Sequence, residues 1–197
     1  MQDMRTMRVL LGFALAIGFA SSVFSQAITE YFVAKVYDLN QISGAGSTPE
    51  AAPYGFFAEV FGTGLSGTYT VVSPGGTVSN PQNLTIAGDL AEYDDAFAYA
   101  DMTALNTAYN SGTYTMNINT AGGLLSPTLD LIGDAFPNAF SITNGMWVGG
   151  NLLFDPNQDL TITFDAFSGF TTGSRIMIEV EDGGGYTDDS STAITSF

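Results

Sequence analysis

The stretch that decides the fold is Ser66-Gly67-Thr68-Tyr69-Thr70, because the chain repeats it at 111–115. Each copy runs on to the same ending, Leu-x-x-x-Gly-Asp, so two blocks of 24 residues, 66–89 and 111–134, start 45 residues apart. A fixed spacing between similar blocks indicates that one structural unit is used twice. Each block reads as strand, turn, strand. We therefore predict two equivalent strand pairs, with Tyr69 and Tyr114 in matching buried positions.

Alternation of apolar and polar residues extends this pattern along the chain. Tyr114, Met116 and Ile118 share one face of a predicted strand, and the same period recurs in 160–164 and 176–180. The runs 31–39 and 56–61 are apolar on both faces, which indicates central strands covered on both sides. With frequent Gly, Pro and Asn turns between the strands, the sequence predicts an all-β fold, an antiparallel β-sandwich of the Ig-like or jelly-roll type.

One segment departs from the strand pattern. The spacing of Met102, Leu105 and Ala108 is helical, with Asp101 as the expected N-cap and Gly112 as the expected stop. We predict one short helix of two to three turns here. Residues 90–100 stay ambiguous between helix and strand.

The N-terminus has the pattern of an export signal. Arg5 and Arg8 precede the apolar run 9–20, and small residues stand before a cleavage point after Ser25, with cleavage after Ala27 as the alternative. The other interpretation, a membrane anchor, requires about 20 apolar residues, and the run 9–24 is shorter. We therefore expect residues 1–25 to be a signal peptide, the protein to be secreted or held at the cell surface, and no stable membrane insertion after cleavage.

Charge and composition exclude several classes of function. After cleavage, the chain contains 19 acidic residues and only two basic ones, Lys35 and Arg175, so its formal net charge is −17. Nucleic-acid binding is excluded, because phosphate contacts require many basic side chains. The chain has neither cysteine nor histidine, so disulfides and the Ser-His and Cys-His catalytic pairs are absent. We expect a protein that is not an enzyme.

The end of the second block suggests a boundary near Pro137. We expect a β-sandwich domain at 26–137, which contains the repeat, and a second Ig-like unit at 138–197. The second unit offers about four strands, whereas an Ig-type sandwich needs about seven. Either it is incomplete, or its strands complete the sheets of the first domain.

Several stretches carry a resemblance to known proteins. Gly-Thr-Tyr-Thr in both blocks, Gly-Asp-Ala-Phe-Pro-Asn at 133–138, Ile-Thr-Asn-Gly at 142–145 and the segment 155–164 occur in this order. Because of this order of motifs, the chain from Ala27 to its end resembles uncharacterised secreted bacterial β-sandwich proteins with Ig- or fibronectin-III-like repeats. The resemblance implies a fold and an extracellular location; it implies no activity and no catalytic residues.

Three features are candidates for ligand sites. Asp155, Asn157 and Asp159 supply oxygen ligands at alternate positions and predict a calcium loop, although Leu160 stands where such a loop has glycine; an Asp-Pro turn is the alternative. Trp147, the sole tryptophan, lies among glycines and is a candidate carbohydrate-stacking residue, with a buried packing role as the favoured alternative. The acidic clusters at 92–95 and 179–182 are expected to be solvated turns.

Together these observations favour a secreted or cell-surface β-sandwich module with a structural or adhesive role, and without catalytic activity. The alternative is a carbohydrate-binding module of a larger secreted protein. Calcium is the one cofactor that the sequence suggests. The expected partner is an extracellular protein or a polysaccharide.

Overall fold

A computed structural model describes residues 5–18, 27–131, 136, 138–153, 155, 161–166, 175–182 and 187–188. Its elements in chain order are β1 (Arg5–Gly18), β2 (Ala27–Asn40), β3 (Thr48–Thr63), β4 (Tyr69–Val72), β5 (Gln82–Ala87), β6 (Leu90–Tyr99), α1 (Met102–Ala108), β7 (Gly112–Thr120), β8 (Gly123–Leu125), β9 (Thr128–Leu131), β10 (Met146–Val148), β11 (Asn151–Leu153), β12 (Arg175–Asp182) and β13 (Thr187–Asp188). The fold is all-β and sandwich-like with one short helix.

Eleven of the described strands form one antiparallel sheet that curls over on itself. Their order is β13-β12-β1-β2-β3-β6-β5-β4-β7-β8, with β9 also paired to β7. The curl lies in β5, since Gln82–Leu84 pair with β4 whereas Thr85–Ala87 pair with β6. The sheet thereby forms two layers that face one another, β2-β3-β6 and β5-β4-β7-β9.

One apolar core fills the space between the layers. Its central side chains are completely or almost completely buried: Val33, Phe56, Ala58, Val60 and Ala91 on one layer, and Tyr69, Val71, Tyr114, Met116 and Ile118 on the other. The predicted alternation in β7 is present, because Tyr114, Met116 and Ile118 all point into this core. Burying large apolar side chains is the main source of stability in such a fold.

The repeated blocks have the same register in the structure. Tyr69 of β4 pairs with Leu84 of β5, and Tyr114 of β7 pairs with Leu129 of β9. Both tyrosines are buried, with exposed fractions of 1 % and 0 %. Because β4 is also antiparallel to β7, the two strand pairs lie side by side as if related by a two-fold axis.

The repeated glycines explain why this unit starts where it does. Gly67 and Gly112 occupy equivalent positions and both have positive φ, +94° and +146°. Side-chain-bearing residues rarely adopt these angles, whereas glycine does so at no steric cost. A Cβ on Gly112 would also lie 3.0 Å from two atoms of the Pro74 ring.

The helix is present but ends earlier than expected. Asp101 is its N-cap and accepts a hydrogen bond from the Ala104 amide at 2.8 Å. The predicted stop at Gly112 is wrong: α1 ends at Ala108, and Tyr109 is an extended C-cap whose amide bonds Leu105 O at 2.8 Å. The ambiguous stretch 90–100 lies almost entirely in strand β6.

Three other expectations fall on segments where the structure differs or adds detail. Of the predicted strand 160–164, the described residues 161–166 contain only a single bridge, between Ile142 and Phe164. The run 176–180 lies in strand β12 as predicted. Within the segment expected to be a signal peptide, the structure describes residues 5–18, which form strand β1 in the uncleaved chain and pair with β2 and β12. Its cleavage stays a prediction, as do the domain boundaries and the Ig-like assignment.

Candidate functional site

A cluster of tyrosines around one carboxylate lies at the end of the core next to α1. Tyr99 and Tyr109 both donate their hydroxyls to Asp95 Oδ2, at 2.6 and 2.7 Å. The Tyr93 hydroxyl lies 2.8 Å from that of Tyr109 and donates to it, because Tyr109 already donates to Asp95. We call Tyr93, Asp95, Tyr99 and Tyr109 the tyrosine cluster. Charge-assisted hydrogen bonds of this kind are stronger than those between neutral groups.

Strand register and the helix end explain how the cluster forms. Tyr93 and Asp95 pair with Ala58 and Phe56 of β3, so both point towards the core side of the sheet. Tyr109, just after α1, stacks on Phe56 with ring centroids 4.1 Å apart and planes 8° from parallel. Burial, followed by the hydrogen bond with Tyr93, raises the pKa of Tyr109. Burial and the hydrogen bond to Asp95 raise the pKa of Tyr99. The cluster therefore holds these phenols in the neutral form.

An aromatic row lies beside the cluster. Tyr37 of β2, Tyr54 of β3 and Tyr99 of β6 are cross-strand neighbours, and each is partly exposed. The rings of Tyr37 and Tyr54 lie 4.8 Å apart, and Phe136 meets Tyr54 edge-on at 5.4 Å. Burial and the neighbouring Tyr54 raise the pKa of Tyr37. We call Tyr37, Tyr54 and Tyr99 the aromatic row.

A buried lysine lies in the same end of the core. Lys35 pairs with Phe56 in the sheet, and its side chain is 1 % exposed. Its Nζ donates to Asn106 Oδ1 at 2.6 Å and to Ser111 Oγ at 3.3 Å. Sequence reasoning missed this group. The signal was a basic residue within the doubly apolar run 31–39, which also contains Asp38, since a lysine is almost never fully buried unless it is paired.

The acidic cluster at 92–95 is not a solvated turn, and that expectation is wrong. All four residues belong to strand β6, so alternation sends Asp95 towards the core and Glu92 and Asp94 to the opposite face. There Glu92 lies opposite Glu59 of β3, which is only 9 % exposed. Burial, and then the charge of Asp94, raise the pKa of Glu92.

The predicted calcium loop is described only at its first residue. Asp155 is exposed, whereas Asn157 and Asp159 lie outside the described residues. Among the residues that the structure describes, no three acidic side chains come together in a way that could hold a metal ion. The calcium site at Asp155, Asn157 and Asp159 stays a prediction, and the side chains at 179–182 also lie outside the description.

Trp147 lies in the small hairpin β10-β11, where it pairs with the buried Leu152. It is partly buried, and its Cδ1 lies 3.8 Å from the position that a Cβ on Gly44 would occupy. The ring therefore packs against the loop 41–47 that joins β2 and β3.

Three exposed apolar side chains surround this hairpin. Ile42, Met146 and Val148 are 63 %, 65 % and 47 % exposed. Gly150, in the turn of the hairpin, lies next to Ile42. We call these three residues the hairpin patch. The Gln41 side chain accepts a hydrogen bond from the Ile142 amide at 2.7 Å and donates one to the Ile142 carbonyl at 2.9 Å. These two bonds hold the segment that carries Ile42 against the segment that precedes the hairpin.

Comparison of the chain with models of protein families, with curated proteins and with solved structures found no match. The resemblance to secreted bacterial β-sandwich proteins therefore stays a prediction. Within the described part of the chain, no helix is long and apolar enough to span a bilayer.

Proposed function

We propose that the protein is a secreted or cell-surface β-sandwich module with an adhesive role and no catalytic activity, and that it adheres through the hairpin patch. The observation that carries the proposal is the concentration of Ile42, Met146 and Val148 on one hairpin and its neighbouring loop. Exposed apolar side chains that occur together mark interaction surfaces, whereas isolated ones need no explanation.

The chemistry of the chain supports the absence of catalysis. Without histidine and cysteine, the usual activated nucleophiles are missing. The tyrosine cluster uses its hydroxyls internally, and burial raises the pKa of Tyr99 and Tyr109 away from neutrality. A general acid or base works best with a pKa close to the operating pH. The tyrosine cluster is therefore suited to holding β6 and α1 together.

The test is fractionation of a bacterial culture that expresses the full chain. We expect the protein outside the cytoplasm, with Gln26 as its first residue, and partly bound to the cell surface. Replacing all three patch residues by serine should move it from the cells to the medium. The control replaces Leu124 and Leu125, two exposed leucines of β8, by serine. Protein that stays in the cytoplasm with residues 1–25 intact would contradict the proposal.

A second candidate function is a carbohydrate-binding module, and the aromatic row favours it. Neighbouring, partly exposed tyrosine rings can stack on the apolar faces of sugars. The hydroxyls of Tyr37 and Tyr54 can then bond sugar oxygens, whereas that of Tyr99 is bonded to Asp95. A pull-down on insoluble polysaccharides separates this function from the first. Binding that is lost in Tyr54→Ala or Trp147→Ala, with folding retained, would favour the carbohydrate module; no binding leaves adhesion through the patch.

A further inference from the structure

The contact between Lys35 and Asn106 places a nucleophile against an electrophile inside the core. Lys35 Nζ lies 2.6 Å from Asn106 Oδ1. Since a C=O bond is about 1.2 Å long, Nζ is within about 4 Å of the amide carbon Cγ. Reacting atoms in a near-attack arrangement lie roughly 3–3.5 Å apart. Attack requires this hydrogen bond to break and the Asn106 amide to rotate so that its π-face, and not Oδ1, is turned towards Nζ.

Both residues are fixed by the elements that carry them. Lys35 belongs to β2, which is paired along its length with β3, a strand that remains after residues 1–25 are removed. Asn106 belongs to α1, which is capped by Asp101 and held to the core by the buried Leu105 and Ala108. Two groups held by separate rigid elements meet without the entropy cost of an encounter, which is a large part of the barrier for a reaction in solution.

The amine itself is shielded from water, since Lys35 is 1 % exposed, although Asn106 is half-buried and Ser111 is exposed. Phe56 is its cross-strand neighbour, and the rings of Tyr109 and Tyr114 both stack on Phe56. Desolvation favours the uncharged form of an amine, which is its nucleophilic form. The same exclusion of water protects an amide from hydrolysis once it has formed.

We propose that Lys35 and Asn106 become joined by an intramolecular isopeptide bond, independently of the adhesive function proposed above. The neutral amine Nζ attacks Cγ, and the Nζ–Cγ bond forms. A proton passes from Nζ to Nδ2, the Cγ–Nδ2 bond breaks, and ammonia leaves. The side chains are then linked by a secondary amide; if the lysine starts as ammonium, its extra proton leaves with the ammonia as an ammonium ion. No oxidant, metal or further reactant is consumed.

One described group can assist this step. Ser111 Oγ accepts a hydrogen bond from Nζ at 3.3 Å, so it can take a proton from Nζ as the Nζ–Cγ bond forms. Ser111 is a positioning and relay residue here. Its replacement by alanine should slow formation of the link without abolishing it.

The link would suit this chain. It joins residues that are 71 positions apart, across the end of the core. The chain has no cysteine, so it can form no disulfide in an oxidising location. A covalent tie between β2 and α1 would supply the constraint that secreted domains of this size often obtain from disulfides.

Trypsin gives the first test, because Lys35 and Arg175 are the only cleavage sites after residue 26. The exported protein is fully denatured before digestion, so burial cannot protect the site. A linked Lys35 is not a trypsin substrate, and we expect residues 26–175 to stay in one piece. Digestion with a protease that does not depend on lysine should then give a branched peptide, lighter by one ammonia than its two parts. Quantitative cleavage at Lys35 would overturn the proposal.

Peptide mapping is needed because Gln26, as a first residue, can also lose ammonia by cyclising. The loss must therefore be assigned to the peptides that contain Lys35 and Asn106. Lys35→Arg keeps a charged donor that is not a nucleophile, and Asn106→Ala removes the acceptor; both should be folded, unlinked chains. Asn83→Ala, at an exposed position of β5, is the matched control and should keep the link. Separate, unmodified peptides from the wild type, alongside the same result in Asn106→Ala, would show a hydrogen bond only and contradict the proposal.

Discussion

The hydroxyl of Tyr114 donates to the backbone carbonyl of Asn110, 2.8 Å away, and ties the start of β7 to the loop that follows α1. A tyrosine that opens a strand after a glycine turn and bonds back to the preceding loop resembles the corner tyrosine of sandwich domains. The ring is 0 % exposed, and the bond itself is partly buried. Losing the donor leaves the carbonyl without this partner.

We therefore expect Tyr114→Phe to lower the free energy of unfolding by about 1 kcal/mol, the usual net worth of one buried hydrogen bond. Urea unfolding followed by circular dichroism measures the change. Tyr54→Phe is the control, because the Tyr54 hydroxyl makes no hydrogen bond to another residue that the structure describes. Equal losses in the two variants would show that the bond to Asn110 contributes nothing specific.

The repeat predicts equal energetic roles for two leucines. Leu84 and Leu129 pair with Tyr69 and Tyr114, and their exposed fractions are 7 % and 6 %. Leu84→Ala and Leu129→Ala should each cost roughly 2–5 kcal/mol, because each removes buried methyl groups and leaves a cavity. Leu124→Ala, at a position 61 % exposed, should change little. If only one of the two buried leucines matters, the blocks are alike in register but not in packing.

Glu92 should make stability depend on pH. Its pKa is raised above the ordinary 4.5 by burial and by Asp94, so the folded chain holds a proton that the unfolded chain releases. The protonated carboxyl of Glu92 therefore contributes fully to stability below pH 4.5. This contribution is lost as the pH rises through the raised pKa of Glu92. Glu92→Gln should therefore raise the melting temperature at pH 7, with a smaller gain below pH 4.5.

The exposed Glu50 of β3 is the control for this measurement. Glu50→Gln changes the net charge equally but removes no buried carboxylate. Thermal unfolding of both variants is compared at pH 4 and pH 7. The same gain for both variants at pH 7 would mean that overall charge, and not the burial of Glu92, sets the effect.

Calcium gives the next prediction. A site that binds only in the folded state stabilises by mass action, about 2.7 kcal/mol at 100 times the dissociation constant. If Asp155, Asn157 and Asp159 form such a site, millimolar calcium should raise the melting temperature more than sodium at equal ionic strength. Asp159→Ala should abolish the difference. Equal effects of the two cations would indicate charge screening alone.

The sequence was most informative where the structure depends on neighbours along the chain. The repeat located β4, β5, β7 and β9. The number of residues between each tyrosine and its paired leucine is the same in both blocks, so the register could be predicted. The N-cap at Asp101 was also visible, because capping is a local interaction.

The rest depends on contacts between distant residues. The helix ends at Ala108 because Tyr109 turns to stack on Phe56, which lies 53 positions earlier in the chain. The local sequence around Tyr109 does not predict this contact. The Lys35–Asn106 contact also arises only when α1 packs on the sheet. Residues 90–100 stayed ambiguous because the acidic residues in β6 hide its alternation, which the pairing with β3 reveals.

The most direct test of the proposed adhesive role is to add the exported protein back to washed cells. Protein purified from the medium is titrated onto the cells, and the bound amount is measured for three forms: wild type, the Ile42→Ser, Met146→Ser, Val148→Ser variant, and the Leu124→Ser, Leu125→Ser control. We expect saturable binding of the wild type and the control. In the patch variant we expect the affinity for the cells to fall at least tenfold, which corresponds to about 1.4 kcal/mol. Binding that is the same for all three folded proteins would contradict the proposed adhesive role.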